Sequence, residues 1–537
     1  MSQIKLALTT EEGYPIPGTV HLLDLDHSLN VQHGSGSSEV VLVPQPSKDP
    51  NDPLNWSNWR KHMTYFWVCW YVFVAAGQSA ALSPALLEMQ DSTGISLADL
   101  NAGTGYLFLF YGLGCLITQP LALAFGRRAV FIVSLLIGGV GCQFWLVACK
   151  SSGNYFANRI FTGLFLSPVE ALAEIVVTDL YFAHQRGLFM GMYVLALTGS
   201  SVFCPLYAGF INENLGWHWI PYIFAIKAAV GVVGSFFFLE EPMYHRKNME
   251  SDVLDAPPES KQAAVIETTE FDGADSDYEE YQTKTYLQRL YLWDRKWIRT
   301  DLFWPSVYRP VLIIAKFPPV VLSSIILASC LAWFNVLQAT YDSTLQAPPY
   351  NFGGTGVSLF YLGPTVGCLI ASFLGGYVSD RICLYCARRT EGLREPEFRL
   401  YAGLICMILN PLGLWLFGIG AAKGLHWFAL CFGCGCVGFC INMGAVVPYV
   451  YSLDSYKEVG GDAIVSMVLI RNLFGFAFAY AITPWIESQG MQNTFLVVGI
   501  LSLVFWGISV PLLMFGKKLR YRTAKTYHQY LQKHRHE

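Results

Sequence analysis

Residues 105–128 read GYLFLFYGLGCLITQPLALAFGRR, a run of 22 uncharged residues that ends in two arginines. An α-helix rises about 1.5 Å per residue and needs about 20 residues to cross the hydrocarbon core of a bilayer. The run is therefore long enough to span a membrane, and the basic pair that follows it is typical of the cytoplasmic end of a span. We predict a transmembrane helix here.

Comparable runs recur along the chain, which has 537 residues, 53% of them hydrophobic and 14% charged. The charges crowd into the two tails and into residues 240–309 and 380–399. Measured against the same helix length, the runs between them predict an all-α membrane protein with twelve transmembrane helices. Their centres lie near Tyr71, Gly112, Gly138, Val169, Val202, Gly231, Leu327, Val366, Leu409, Gly435, Phe474 and Val504.

Several classes of protein are disfavoured by the sequence. The first 58 residues contain no apolar core flanked by positive charge, so we predict no cleavable secretory signal. Most of the 14 cysteines fall inside apolar runs, where they act as small packing residues, and we expect no metal and no other cofactor. No HExxH, GxSxG or Walker-type sequence occurs, and no basic patch suits nucleic acid. We predict that the protein is not an enzyme and does not bind nucleic acid.

Basic residues predict the orientation of the spans. They cluster after the second, fourth, eighth and twelfth spans, at 127–128, 184–186, 381–399 and 517–522. Cytoplasmic loops carry an excess of lysine and arginine, so both termini are expected to face the cytoplasm. The plasma membrane is the expected location, because we recognise no organelle signal.

The charged stretch in the middle of the chain divides the spans six and six. It predicts five parts: a largely disordered cytoplasmic N-terminal tail, a six-helix bundle, an acidic cytoplasmic linker, a second six-helix bundle and a basic cytoplasmic tail. Their boundaries are 1–58, 59–240, 241–309, 310–516 and 517–537. The motif GYVSDR after the eighth span, residues 376–381, occupies the place of QPLALAFGRR after the second, residues 119–128. Matching motifs predict two pseudo-symmetric bundles.

These loop motifs resemble the G-x-x-x-D-R-x-G-R-R motif of the major facilitator superfamily. The second half matches at Gly376, Asp380 and Arg381, and the first half matches at Gly126, Arg127 and Arg128. The first half has Gln119, Leu123 and Ala124 where the family has Gly, Asp and Arg, so a weaker first-half cytoplasmic gate is expected.

Two further motifs carry the same resemblance. In the fourth span, Arg159 and Gly163 match the family's R-x-x-x-G, and in the fifth, Pro205 belongs to a glycine-rich motif that marks exporters. That second motif is eroded, keeping only Gly191, Pro205 and Gly209, which weighs against antiport. Narrower signatures resemble the fungal drug:proton antiporter branch, particularly its histidinol and polyamine transporter group. They are DPNDPLNW at 49–56, VEALAE at 169–174, DLYFAHQRG at 179–187, EPEFRL at 395–400 and YSLDSY at 451–456.

Glu170 and Glu174 are the first candidates for a transport site. They are four residues apart and share one face of the fourth span. Charged groups inside a membrane are expensive, and two neighbouring carboxylates in a poorly hydrated cavity do not both ionise cheaply. One of the pair is therefore expected to carry a proton near neutral pH. The alternative is that both only bond other helices or face a wet cavity.

The seventh span carries a polar stripe. Asn335, Gln338 and Asp342 fall on one face, with Tyr341 beside them. The family resemblance implies that the first, fourth, seventh and tenth spans line a central cavity, which makes Gln78 and Asn442 candidates too. Asn and Gln also serve as links between membrane helices, and that reading is equally open for Gln78 and Asn442. Asp342 could instead lie at the outer water boundary.

These residues lead to a hypothesis about function. Carboxylates beside aromatic rings favour a cationic amine, although Lys227 and Arg471 would weaken that preference if they pair with the glutamates. We predict a proton-coupled secondary transporter of a small organic solute, polyamine-like amines being favoured, that works as a monomer in the lipid bilayer. The alternatives are an efflux antiporter of hydrophobic drugs or metabolites, and a solute sensor that transports nothing.

Overall fold

The computed structural model describes residues 16–18, 20–21, 47, 49–244, 285–292, 303–389, 393–456 and 459–534. Most of these residues are helical. Two short strands, β1 (Val20–His21) and β2 (Leu393–Arg394), pair antiparallel. Most of the predicted linker and N-terminal tail lies outside the described residues. The predicted all-α fold is confirmed.

Six spanning helices form the N-terminal bundle. The third span contains a π-helical segment, Leu135–Gly141, and the fourth is interrupted at Ser167, just before Pro168. In chain order the spans are Asn58–Ala80, Leu97–Phe125, Arg127–Val147, Ser152–Leu180, Ala183–Leu215 and Trp219–Phe238.

The C-terminal bundle supplies the other six spans. Its eleventh and twelfth spans are two helices within Gly460–Gly507, separated at Gly490 by a left-handed φ of 78°. Glycine adopts this conformation without the strain that a side chain would add. Eleven described segments are long and apolar enough to cross a membrane, and the last of them holds two spans, which gives twelve. The preceding helices are Pro318–Gln346, Gly354–Phe360 with Leu362–Arg389, Leu400–Ala422 and Trp427–Ser455.

Shorter elements connect the spans or extend them. Ser509–His534 continues the twelfth span, and Phe303–Lys316 precedes the seventh. The remaining short elements are the helices Leu86–Thr93 and Tyr286–Arg289 and the 3-10 turns Pro53–Asn55, Ser83–Ala85 and Pro396–Arg399.

The two bundles meet mainly along two pairs of spans. The second span packs against the eleventh, and the fifth packs against the eighth. We call the side where the first span begins the terminal face, and the opposite side, where that span ends, the distal face. These inter-bundle contacts enclose the centre of the molecule, where the polar residues of several spans converge.

The two matching loop motifs differ in structure. The second span ends at Gly126, whose φ of 99° breaks the helix before Arg127. The eighth span instead continues through Arg389, so the motif at residues 376–381 is helical and the expectation that it forms a loop is wrong. Residues 377–389 contain no glycine or proline that would end the helix.

Segments near the N-terminus pack on the terminal face of both bundles. The Tyr244 hydroxyl, just after the sixth span, donates to the Asp49 carboxylate at 3.1 Å. On the C-terminal bundle, Arg520 donates to the carbonyl of Pro17 at 2.6 Å and forms two hydrogen bonds with Glu397. The signature motif at residues 49–56 therefore belongs to the packed structure.

Candidate transport site

A cavity lies between the two bundles near the middle of the spans. It encloses about 50 Å³, enough for water but far below the roughly 300 Å³ of a typical small-molecule pocket. Seven spans line it, including the four that the family resemblance implies. The lining residues are Ala76, Ser79, Phe108, Tyr111, Glu170, Leu197, Thr198, Ser201, Leu327, Cys330, Leu331, Asn335, Gln338, Ile441, Ala445 and Arg471. In this conformation the cavity is therefore too small for a typical small organic solute.

Glu170 faces the cavity and forms an ion pair with Arg471. Glu170 lies on the fourth span and Arg471 on the eleventh, so the pair joins the two bundles. Both residues are about 5% exposed, and the Tyr449 hydroxyl lies 3.5 Å from Arg471 Nη1. A buried charge needs a partner, because isolated burial costs several kcal/mol, roughly. Each residue thus supplies the counter-charge that the other one needs when buried.

Glu174 lies one helical turn beyond Glu170, toward the terminal face. It is 3% exposed, and its Oε2 atom has no hydrogen-bond partner among the described residues. Its neighbours include Tyr193 and Tyr449, and it is not among the residues that line the cavity. The two glutamates therefore occupy different environments, one paired and facing the cavity, the other unpaired and behind it.

The polar stripe of the seventh span divides between two regions. Asn335 and Gln338 line the cavity, and Gln338 Nε2 donates to the carbonyl of Ser201 on the fifth span at 2.9 Å. Asn335 Nδ2 has no hydrogen-bond partner among the described residues. Tyr341 points instead into the C-terminal bundle, where it packs against Phe360, Tyr361 and Phe417.

Asp342 also lies away from the cavity, near the distal face. It is only 2% exposed, so the alternative of a solvated surface carboxylate does not describe it. Its Oδ2 accepts the backbone N–H of Leu87 at 3.0 Å, and Gln346 donates to its Oδ1. Leu87 belongs to the N-terminal bundle, and so Asp342 makes a second charged contact between the bundles.

The structure places Gln78 and Asn442 in links between helices. Gln78 accepts a hydrogen bond from Gln143 at 2.7 Å, inside the N-terminal bundle. Asn442 donates to Ser372 at 2.9 Å and to Thr198 at 3.1 Å, which ties the tenth span to the eighth and fifth. Neither side chain lines the cavity.

Lys227 is held between the fifth and sixth spans. Its ammonium group donates to the Tyr207 hydroxyl at 2.7 Å and lies 5.1 Å from the centre of the Phe224 ring. It is not among the cavity-lining residues, and the described structure does not pair it with Glu170 or Glu174. The positive charge at the cavity therefore comes from Arg471, and its pairing with Glu170 weakens the preference for a cationic solute that the carboxylates alone would give.

The first-half motif is stabilised by an acid from elsewhere in the chain. The Glu241 carboxylate, just after the sixth span, accepts the backbone N–H groups of Arg127 and Arg128, each at 3.0 Å. A carboxylate at the start of a helix complements the helix dipole. Arg127 also pairs with Asp179 at the end of the fourth span. Glu241 thus supplies an acid to a motif that has Leu123 where the family has Asp.

The other predicted motif residues take structural positions. Arg159 is buried over the Tyr155 ring, 5.0 Å from its centre. Gly163 allows the fourth span to approach the second, because a Cβ there would lie 2.6 Å from the carbonyl oxygen of Leu107. Pro205 lies inside the fifth span. Arg381 is exposed, and the surroundings of Gly376 and of the Asp380 side chain lie outside the described part of the structure.

A family model of the Major Facilitator Superfamily matches residues 68–461, well over half of the chain. The chain belongs to this superfamily. It is therefore an integral, multi-pass membrane transporter, and the prediction that it is not an enzyme is confirmed. The two six-helix bundles with twelve spans are the architecture of this superfamily.

Several curated fungal proteins are similar to this superfamily member over nearly their whole length. An uncharacterised MFS-type transporter of Schizosaccharomyces pombe is 29% identical, with 97% of this chain and 95% of that protein covered. Protein HOL1 of Saccharomyces cerevisiae is 26% identical, with 97% and 98% covered. The efflux pump vrtL of Penicillium aethiopicum is 25% identical, with 88% and 89% covered.

Arg471 was considered from the sequence as a possible partner of the glutamates but was not predicted as a residue of the site. The signal for it was present, because a charged residue inside a span needs a partner, and Glu170 was the acid expected at the cavity. Spacing along one helix predicts the face on which a residue lies, but it does not predict which other helix packs against that face. The pairing across the bundles required the folded arrangement.

Proposed function

We propose that this transporter moves a small cationic amine, polyamine-like in character, together with protons by alternating access. The observation that carries the proposal is the position of Glu170 in the cavity, paired across the bundles with Arg471 while Glu174 is unpaired behind it. Two carboxylates and one guanidinium leave one negative charge when both acids are ionised. A proton on Glu174 balances that charge, and an amine at Glu170 then takes the place of the Arg471 guanidinium as its counter-charge.

The cavity lining supports an amine as the solute. Glu170 supplies a carboxylate, Asn335 and Gln338 supply amide oxygens, and the rings of Phe108 and Tyr111 lie alongside. Carboxylates and amide oxygens accept hydrogen bonds from an ammonium group, and aromatic faces attract cations. An incoming amine competes with Arg471 for Glu170. Its binding therefore loosens a charged link between the two bundles.

The separate positions of the glutamates support proton-coupled uptake. Glu174 does not line the cavity, so a proton on Glu174 and a solute at Glu170 can be bound together. Binding both before the bundles rock is the requirement for symport. Protonation of Glu174 removes a buried charge and so changes the relative free energies of the two access states.

Efflux of hydrophobic compounds is the second candidate. Most of the lining is apolar, including Leu197, Leu327 and Ile441, which suits a drug-like solute. One relative at 25% identity is named an efflux pump. In either case we propose the plasma membrane as the location and the terminal face as cytoplasmic, because the basic clusters of the loops lie on that side.

The test is uptake of labelled spermidine and of a labelled neutral drug into cells that lack their own transporters, with and without a proton gradient. The expected result is gradient-dependent spermidine accumulation that is lost in Glu170→Gln and Glu174→Gln. Unchanged spermidine with lower drug retention would favour efflux. Binding of spermidine by the purified protein without any flux would favour a sensor.

A further inference from the structure

Two carboxylates connect the bundles at the distal face, one from each bundle. Asp342, at the end of the seventh span, accepts the N–H of Leu87 at 3.0 Å. Glu213, at the end of the fifth span, accepts the N–H of Thr355 at the start of the eighth, at 2.9 Å. Each bundle thus offers a carboxylate to a backbone amide of the other. Hydrogen bonds to charged groups are among the stronger ones in proteins.

We infer that Asp342 and Glu213 form the latch of the distal gate, holding the transporter closed on that side. A small cavity is lined by Ser83, Thr104 and Leu86, and Leu86 directly precedes Leu87 in the chain. It shares Asn335 and Gln338 with the central cavity. A solute that travels between the distal face and the central site therefore passes the Asp342 contact.

The two contacts differ in strength because they differ in burial. Asp342 is 2% exposed, and Gln346 orients its second oxygen. Glu213 is exposed, where water and salt weaken a charged contact. Replacing Asp342 leaves the amide of Leu87 without its acceptor and removes the charge. Asp342 is therefore the main part of the latch, and Glu213 a weaker second part.

Close packing beside the latch shows that the distal ends are in direct contact. A Cβ built on Gly209 of the fifth span would lie 2.6 Å from the Cβ of Ser358 on the eighth and 3.1 Å from the carbonyl oxygen of Gly354. Nearby, Asn101 of the second span donates to Thr483 of the eleventh at 3.0 Å. Opening toward the distal face must separate all of these contacts. Asp342 and Glu213 supply the charged contacts among them.

This inference rests on the alternating-access part of the proposed function and not on the identity of the solute. Its test therefore uses no solute. The full-length protein carrying Thr104→Cys as a reporter is placed in lipid nanodiscs, and the rate of maleimide labelling at residue 104 is measured by peptide mapping. Cys406, fully buried inside the C-terminal bundle, is read in the same samples as a monitor of general loosening.

Asp342→Ala is expected to raise the labelling rate at residue 104 about tenfold, the change expected for loss of a hydrogen bond to a charged group. Glu213→Gln is expected to raise it about twofold, as for an exposed contact, and the two changes should multiply in the double variant. Gly209→Ala should also raise it. Asp91→Asn, which changes an exposed carboxylate on the same short helix as Leu87, is the matched control and should not.

Two outcomes would overturn the inference. One is a labelling rate at residue 104 that stays at the reporter's own value in the Asp342→Ala and Glu213→Gln double variant. The other is an equal acceleration at Cys406, which would mean that the variants loosen the whole protein. If Asp342→Ala does not fold, Glu213→Gln and Gly209→Ala decide the matter in the same way. Failure of the spermidine assay would leave these outcomes unaffected.

Discussion

Arg471 of the eleventh span and Glu170 of the fourth span form an ion pair across the bundle interface, at the central cavity. Because one partner moves with each bundle, rocking of the bundles must lengthen or break this pair. The pair also occupies the carboxylate that a cationic solute would use. Solute binding and rearrangement of the bundles are thus linked through one contact.

Removing one member of this pair should be worse for stability than removing both. Glu170→Gln leaves the Arg471 guanidinium buried without its counter-charge, and breaking such a pair costs about 3–5 kcal/mol. Replacing both residues by glutamine should recover much of the lost stability, because no unpaired charge remains. Thermal unfolding of the purified variants measures this. The double variant should still fail to transport, and a double variant as unstable as Glu170→Gln would contradict the pairing.

Glu174→Gln tests the proton site separately from the solute site. The amide cannot ionise, so uptake should lose its dependence on the proton gradient while the binding of solute persists. We expect a large fall in the maximal uptake rate. The KM should stay within about threefold of wild type, since the variant still binds the solute. Uptake must be measured across external pH values from about 5 to 8. A normal pH profile in Glu174→Gln would exclude this residue as the coupling site.

The fold could be predicted from the sequence because the membrane imposes a simple length requirement. Uncharged runs of about 20 residues predict spans without any knowledge of their neighbours. The last two spans show this clearly, because the length requirement alone predicts two spans in this stretch, and the structure divides it at Gly490. Local breaks were less predictable. The motif at residues 376–381 was expected to form a loop by analogy with its counterpart, yet no residue after Gly376 in it breaks a helix.

The site was predictable only in part. Glu170, Asn335 and Gln338 do face the cavity, because an expensive polar group inside a span usually faces the protein interior. Gln78 and Asn442 are equally polar but bond neighbouring helices. Helical spacing cannot distinguish a residue that lines the cavity from one that bonds a neighbouring helix, because both roles need a polar side chain that faces the protein interior. The difference depends on which helix lies opposite.

Residues that line the cavity and residues that link helices should differ in how their replacement affects KM and stability. Asn335→Ala should raise the KM for solute with little loss of stability, because its amide nitrogen has no protein partner in the described structure. Gln78→Leu should do the reverse, since it leaves Gln143 unsatisfied at a cost of about 1–3 kcal/mol. Uptake kinetics and melting temperatures of the two variants provide the comparison. The assignment fails if Gln78→Leu changes KM more than Asn335→Ala does.

Lys227 should be dispensable for solute recognition. It contacts Tyr207 between the fifth and sixth spans and does not face the cavity. Lys227→Met keeps the length of the side chain, removes the charge from the membrane and leaves the Tyr207 hydroxyl as the remaining polar group. We expect unchanged KM for spermidine and equal or higher thermal stability. A rise in KM above about threefold, roughly 0.6 kcal/mol, would place Lys227 in the transport path.

Glu241 should stabilise the N-terminal bundle in place of the acid that the first-half motif lacks. Its carboxylate accepts two backbone N–H groups at the start of the third span, and Gly126 leaves room for it, since a Cβ there would lie 2.7 Å from Glu241 Oε2. Glu241→Ala removes both hydrogen bonds and should cost about 1–2 kcal/mol, the usual effect of losing a helix cap. The variant should melt at a lower temperature with unchanged KM, because the cap is far from the cavity. Glu487→Ala, an exposed acid near the distal face, is the control, and equal melting temperatures for the two variants would show that Glu241 adds no stability.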